Sequence, residues 1–553
     1  MLSQNFVETI ATSLRTNWDV ACFSNLDGGT LTYGETAHGI LRLHCIFKEL
    51  GIEPGDRVAV VGRNSINWAV TYLATVTWGA VIVPVLPDFT SAEIEHIIRH
   101  SEASLLVVAD AINDRLDETK MPSAKAVLRM ADFSTFWAAK NKYKEAVERS
   151  KMKWRECVDK DGEQATLAFP AVDNATLAAI VYTSGTTGFS KGVMLNHNSL
   201  MANIAVFTDS VELLPGENIV SFLPLAHAFG CAFDFLSPFA MGCHVTFVEK
   251  IPTPKVLLAA FAKHKPAVVM SVPLIIEKIY KNKVKPALEK PAMQMMLKVP
   301  GLKQVVHRKV RDQLYESFGG KYKEMVVGGA ALNKDIEKFF REIGFNITCG
   351  YGMTEFGPLM SYTISADKPP VGSVGKVISY LECCISDPDP ETGVGEVLMR
   401  GENRMLGYYN DEEATAATID ADGWLHTGDI GRLDDEGYLY LTGRSKNMIL
   451  TASGQNVYPE EIESQLNNMP CVEESLIIEN DGRLVALVYP DLESVDRACL
   501  RGTQVENLME NNRKSLNSKL PGYCQISRLK VLYDEFEKTP TKKIKRRLYN
   551  AVV

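Results

Sequence analysis

Runs rich in Val, Ile and Leu recur at Val58–Val61, Ala80–Val83, Leu105–Ala109, Ala178–Tyr182, Ile219–Phe222, Val245–Val248, Ala267–Met270 and Met325–Val327. Each is short and continuously apolar, which reads as a strand buried on both faces. Between them, residues 64–77, 91–100 and 333–343 carry apolar positions at helical spacing, and Asn333 is a suitable N-cap for the last. This alternation predicts parallel sheets covered by helices, an α/β architecture that binds ligands at the carboxyl ends of its strands. Trp68 to Leu86 is the most apolar stretch, but Gly79 and Pro84 interrupt it. It therefore reads as a core helix followed by a strand, not as a membrane span of ~20 apolar residues. Near the start, Phe6, Val7, Ile10 and Leu14 share one helical face, so a docked amphipathic helix is expected.

The pattern changes after Arg444. A strand–turn–strand around Ser453-Gly454 leads to a helix opened by Pro459. Strand patterns at Glu474–Ile478 and Leu484–Tyr489, a helix near Leu508–Leu520 and a strand near Ile526–Leu532 follow. The chain thus divides into a large domain, 1–445, and a small α+β domain, 446–553.

Composition narrows the classes. The 553 residues are 46% hydrophobic and 23% charged, as in an ordinary globular protein. A net charge of −9 argues against a nucleic-acid partner, which normally needs a basic face. The 11 cysteines form no CxxC pair, and no signal-peptide pattern precedes them. Reduced thiols and a cytoplasmic location are the expectation. The histidines show no HExxH metal spacing, and no GxSxG hydrolase elbow occurs.

The segment richest in chemistry runs from Tyr182 to Gly192, after a buried strand. Gly185 and Gly188 allow close backbone approach, Thr183, Ser184, Thr186 and Thr187 add hydroxyl donors, and Lys191 adds charge. These are the ingredients of a triphosphate cradle, although the lysine does not directly follow Gly188 as in a Walker A loop. Further motifs follow in order: Gly55-Asp56-Arg57-Val58 lies upstream, and downstream come Leu223-Pro224-Leu225-Ala226-His227, Gly328-Gly329-Ala330-Ala331-Leu332 and Tyr351-Gly352-Met353-Thr354-Glu355. Trp424-Leu425-His426-Thr427-Gly428-Asp429, Gly443-Arg444-Ser445-Lys446 and Ser453-Gly454-Gln455-Asn456-Val457-Tyr458-Pro459 complete the series. Together they resemble the adenylate-forming superfamily of acyl-CoA synthetases, carrier-domain adenylation modules and firefly luciferase, along nearly the whole chain. Ser190 and Ala331 replace prolines usual in that family. Lys542 replaces a glycine usual before the C-terminal lysine, as long-chain fatty acyl-CoA ligases tolerate.

The resemblance implies specific roles. A carboxylate attacks the α-phosphate of ATP, so charge and donors must meet an anion approaching a polyanion. Glu355, with Thr183, is the implied magnesium ligand. Gly329, Ala330, Tyr351, Gly352 and Thr354 are implied on the adenine side, with Tyr351 stacking on the base. Asp429 would accept from the ribose hydroxyls, and Arg444 would reach ribose or phosphate. Lys543 is implied as the mobile lysine touching both carboxylate and α-phosphate, favoured over Lys542 by its spacing to Ile544 and Arg546. Lys446 resembles the hinge about which the small domain rotates. Gly454 would then face the pantetheine arm of CoA. His227 gates the acyl pocket or is a packing histidine, Gly352 borders that pocket, and Leu223–Ala240 is expected to line part of it.

A helical, Lys-rich segment from Tyr280 to Phe318 carries a short apolar face at Met293, Met296 and Leu297, and Pro300-Gly301 should end that helix. It resembles the long-chain branch of the superfamily. A solvated cover over the sheet is the expected role, with peripheral contact at the inner membrane face as the alternative. The implied activity is an ATP-dependent fatty acid–CoA ligase preferring long or medium chains, using ATP, Mg2+ and CoA. An acyl carrier protein as acceptor, an aryl or short-chain acid as substrate, and a non-catalytic acyl- or nucleotide-binding descendant stay open. So does the choice between monomer and homodimer.

Overall fold

The computed structural model describes residues 2–161, 163–183, 190–450, 455–539 and 543–549. Two large sheets form its frame. One runs, edge to edge, through Ile347–Cys349, Glu324–Val327, Val268–Ser271, Asn218–Ser221, His244–Phe247, Ala21–Asn25 and Thr30–Thr32. All its neighbours are parallel except the last pair. The other orders Gly407–Tyr408, Lys191–Asn196, Leu177–Thr183, Val81–Val85, Arg57–Val61, Leu105–Val108, Ala126–Arg129 and Thr135–Ala138. Its centre is parallel and both ends turn antiparallel. The fold is α/β with parallel-rich sheets, and each apolar run in the sequence became one of these strands.

The helices follow their local signals. Ser91–His100 starts at a capping box in which Thr90 accepts from Glu93 and the Glu93 side chain answers to the Thr90 amide. Lys334–Glu342 starts at Asn333, whose side chain accepts from Asp335 and Ile336. Phe6–Thr16 docks by Phe6, Val7, Ile10 and Leu14. One large apolar core joins both sheets and their helices. A third, antiparallel sheet, Leu381–Ser386, Gly395–Gly401, Leu425–Leu433 and Leu439–Arg444, closes over one side.

Beyond Arg444 the packing is separate. Val457, Ile462, Leu466, Val472 and Ile477 belong to a second core, and Leu476, Leu487 and Phe536 to a third. Its sheet pairs Val472–Asn480 with Arg483–Pro490 and adds Ile526–Val531 in parallel. Ile449–Leu450 and Asn456–Val457 form the expected two-stranded element, whose turn lies outside the described residues. Polar contacts join this part to the large core: Lys278 to Glu473 at 2.6 Å, Lys281 to the Asn467 carbonyl, and Asn333 to the Ser464 carbonyl at 3.4 Å.

One expectation extends further than foreseen and one needs correction. The helix carrying Met293, Met296 and Leu297 ends before Pro300 as expected, and Pro300 also opens a second helix, Pro300–Ser317, because proline lacks only an amide that a first turn leaves unbonded anyway. Cys22, Cys231, Cys243, Cys349, Cys383, Cys384, Cys471, Cys499 and Cys524 are free thiols, but Cys45 is disulfide-bonded, against the expectation of reduced thiols throughout.

Candidate active site

The phosphate-loop candidate closes a hairpin. Leu177–Thr183 and Lys191–Asn196 pair antiparallel, with Thr183 directly opposite Lys191. Ser184, Gly185, Thr186, Thr187 and Gly188 lie outside the described residues. The Lys191 ammonium sits 4.7 Å above the Tyr408 ring, a cation–π contact. Tyr408 arrives on the strand that extends this hairpin, and its hydroxyl donates to Glu355 Oε1 at 2.8 Å. Burial, then the Glu355 carboxylate, raises the Tyr408 pKa, so the phenol remains a donor. Glu355 is buried in the 3-10 turn Thr354–Phe356, and its carbonyl accepts from the Met405 amide at 2.7 Å.

A second cluster faces the first. Tyr351 donates to Asp429 Oδ2 at 2.5 Å, and Arg444 Nε contacts Asp429 Oδ1 at 2.9 Å. Asp429 and Arg444 are opposed in register on adjacent strands, so the sheet itself sets their pairing. Each Asp429 oxygen keeps further lone-pair capacity toward a ligand. Tyr351 has its ring on the cavity wall while its hydroxyl is tethered. Lys446 is exposed in the turn Ser445–Asn447, away from this cluster's hydrogen bonds, and Gly454 lies outside the described residues.

Beside Tyr351 lies a largely apolar cavity. Its polar end is formed by Gly328, Gly329, Gly352 and Thr354, beside the exposed Ala330. Gly329 has φ +83°, a conformation costly for any other residue. A Cβ on Gly352 would lie 2.2 Å from the Pro358 carbonyl oxygen. The rest of the wall is apolar, with Phe207, Phe229, Phe233, Met270, Val326 and Leu359 prominent. The lining comes largely from the carboxyl ends of strands Val268–Ser271, Glu324–Val327 and Ile347–Cys349, where such a fold is expected to bind ligands.

His227 stands at the cavity wall, and its Nδ1 accepts from the Phe229 amide at 3.3 Å. That bond leaves the proton on Nε2. Burial, then the Lys543 charge, lowers the His227 pKa to about 4, so the ring is neutral at pH 7. Lys543 keeps solvent access, yet the protein atoms around its ammonium, then the Arg444 guanidinium, lower its pKa. Asp429 and Glu355 act in the opposite direction. The lysine from the small core therefore stands in the electrostatic field of Arg444, Asp429, Glu355 and His227 together.

Sequence reading missed several contributors. Tyr408 carried no motif signal and reaches Glu355 only through the sheet edge. Asp234 was visible as a lone acid in the run Cys231–Leu236, and it is fully buried, accepting from the Phe222 and Leu223 amides at 3.2 and 3.1 Å. Asn64 grips the same segment from the other side, accepting from the Leu225 amide and donating to the Leu223 carbonyl. The two side chains fix the approach to His227.

A family described as AMP-binding enzyme matches residues 11–409. The chain belongs to this AMP-binding family. Among curated members, "Long-chain-fatty-acid--CoA ligase FadD15" of Mycobacterium bovis is 28% identical, covering 94% of this chain and 90% of its own. "4-coumarate--CoA ligase 1" of Oryza sativa subsp. japonica is 27% identical over 94% of this chain and 87% of its own. The solved anthranilate CoA ligase AuaEII, in complex with anthranoyl-AMP, shares the fold with a TM-score of 0.79 at 19% identity, covering 100% of this chain and 98% of its own. In the AMP-binding family fold, these two polar clusters and the apolar cavity suit a reaction joining a nucleotide to a carboxylic acid. No group of three or more His, Cys, Asp or Glu residues suited to a metal occurs among the described residues.

Proposed function

We propose that the chain is an ATP-dependent acid–CoA ligase acting on fatty acids of long or medium chain. The observation that supports this reading is that Arg444, Asp429 and Glu355 all act on the charge of Lys543, which in turn acts on His227 in the wall of the apolar cavity. In the first step a substrate carboxylate oxygen attacks the α-phosphorus of ATP and the bond to pyrophosphate breaks. Lys543 would meet both anions, its long stem carrying a compact charge. Tyr351 and Asp429 hold the adenosine side, and Thr183 and Lys191 flank the phosphate loop. Glu355 fits a magnesium ion. One of its oxygens is held by Tyr408, and the other has no hydrogen-bond partner among the described residues. A hard cation that takes few protein ligands and supplies positive charge to the phosphates suits that single carboxylate.

In the second step a thiol sulfur attacks the acyl carbon and AMP leaves. For this step, residues 446–553 turn as a unit at Lys446, withdrawing Lys543 and presenting Gly454 to the thiol arm. Cores separate from that of the large domain support such a division. The apolar wall at Phe207, Phe229 and Phe233 supports an acyl chain, as does the likeness to fatty-acid ligases. Neutral His227 borders the carboxylate end without adding a competing charge.

Pyrophosphate release across short- to long-chain fatty acids and aryl acids, with and without CoA, tests the reading. Turnover with long or medium chains that needs CoA and fails in Lys543→Ala is the expected result. Preference for aryl acids, or release without an acyl-CoA product, would overturn the substrate or the acceptor respectively.

A further inference from the structure

Glu355 sits in a turn too short to hold its own shape. Thr354–Phe356 is a single 3-10 turn closed by Gly357 at φ +65°, and one such turn has little rigidity by itself. Besides the Met405 amide, its support comes from two asparagines with no exposed surface. Asn203 donates to the Phe356 carbonyl at 3.3 Å and accepts from the Leu359 amide at 2.9 Å. Asn403 donates to the same Phe356 carbonyl at 2.8 Å and to the Leu359 carbonyl at 2.7 Å. Its Oδ1 has no hydrogen-bond partner among the described residues. A buried acceptor left unpaired costs stability, so packing alone is a poor reason for this carboxamide.

Both asparagines are tied to the strand of Lys191. Lys191–Asn196 runs directly into the helix His197–Ser210, which carries Asn203. The first turn of that helix also holds the segment of Asn403. Asn198 donates to the Glu402 carbonyl at 2.9 Å and to its carboxylate at 2.8 Å, and Ser199 donates to the Arg404 carbonyl at 3.4 Å. One strand and one helix thus set the place of Lys191 and, through two carboxamides, that of the Glu355 turn.

We propose that Asn203 and Asn403 are positioning residues that aim the Glu355 carboxylate, relative to Lys191, at a magnesium-bound triphosphate. This rests on the reading of Glu355 as the residue that meets the metal. A carboxylate aimed before the metal arrives binds it more tightly, and losing the groups that aim a ligand typically lowers metal affinity about 10–100-fold. The Tyr351–Asp429 pair on the adenosine side is held by other bonds. Nucleotide without metal therefore keeps its main hold when either carboxamide is removed.

The test is calorimetric binding of ATP to the full chain, with magnesium or with a chelator. Acid is left out because Pro358 and Leu359 border its cavity. Wild type should bind ATP more tightly with magnesium, and Glu355→Gln should remove that gain. Asn403→Ala should weaken the magnesium-dependent binding by about tenfold while metal-free ATP binds as in wild type. Adding Asn403→Ala to Glu355→Gln should cost nothing further, because the asparagine acts through the carboxylate. Asn203→Ser, which leaves Asn403 holding the turn, serves for the same comparison if Asn403→Ala does not fold. A gain that survives the asparagine variants, equal weakening of both forms of ATP, or a further loss in the combined variant would overturn the proposal alone. No gain in wild type, or a gain that survives Glu355→Gln, would overturn it together with the metal reading of Glu355.

Discussion

Two neighbours with opposite charge pull the Lys543 pKa in opposite directions, and that can be read kinetically. Arg444 lowers it and Asp429 raises it. Lys543 keeps solvent access and the Arg444 side chain is 50% exposed, so solvent screens both effects without reversing either. Adenylation needs the ammonium form, so activity is present below the Lys543 pKa and lost as pH rises through it. That loss begins at lower pH than for an ordinary lysine. Arg444→Gln should move the alkaline limb of kcat/KM, measured by ATP–pyrophosphate exchange, upward. Asp429→Asn should move it downward, and Lys543→Arg should abolish the limb because guanidinium does not titrate there. Shifts in the same direction for Arg444→Gln and Asp429→Asn, or a limb that survives Lys543→Arg, would refute the assignment whatever the absolute rates.

Gly352→Ala places a Cβ 2.2 Å from a carbonyl oxygen, so exchange activity should fall at least about a hundredfold, while melting shows a loss of about 1–3 kcal/mol. Lys278→Ala combined with Lys281→Ala removes two contacts to the small core and should slow adenylation several-fold. Thioester formation from a preformed acyl-adenylate should be spared, and equal slowing of both steps would count against a latch. Burial lowers the pKa of His44 and of His197 to about 4 from 6.5. The unfolded chain therefore binds more protons between those values, and the stability held above pH 6.5 is lost as pH falls toward 4, by up to ~3 kcal/mol per residue. Glu324, raised to about 7 by burial, acts in the opposite sense between pH 7 and 4.5. Melting at pH 7 and pH 5 should therefore show a smaller acid-induced drop in His44→Gln and His197→Gln than in wild type.

The parallel strands were legible because burial on both faces leaves an unbroken apolar run, as in Val58–Val61 or Val245–Phe247. The antiparallel sheet between Leu381 and Arg444 was not. Leu381–Ser386 contains no fully buried residue, so its pattern carries little contrast. Lys191–Asn196 escaped notice because a charged end and Gly192 dilute its strand character. Within the site, single residues were readable from their motifs, but their pairings were not. That Tyr351 would be tied to Asp429, or that Tyr408 would hold both Lys191 and Glu355, depends on strands that meet only in the folded sheet. Pro300 was read as a stop because proline marks both ends of helices, and only the following amphipathic turn decides which.

The opposition of Thr183 and Lys191 has a consequence for how such an enzyme can change over generations. The two ends of the phosphate loop are fixed by strand register, so the place of Lys191 is set by the hairpin and not by the residues that meet the phosphates. An insertion one residue further along, inside Lys191–Asn196, would instead reverse which side chains face the core. It would also carry Tyr408 out of reach of Glu355, since that tyrosine is paired to the same strand. A change in length just beyond Lys191 should therefore be purged even though no residue there touches the phosphates.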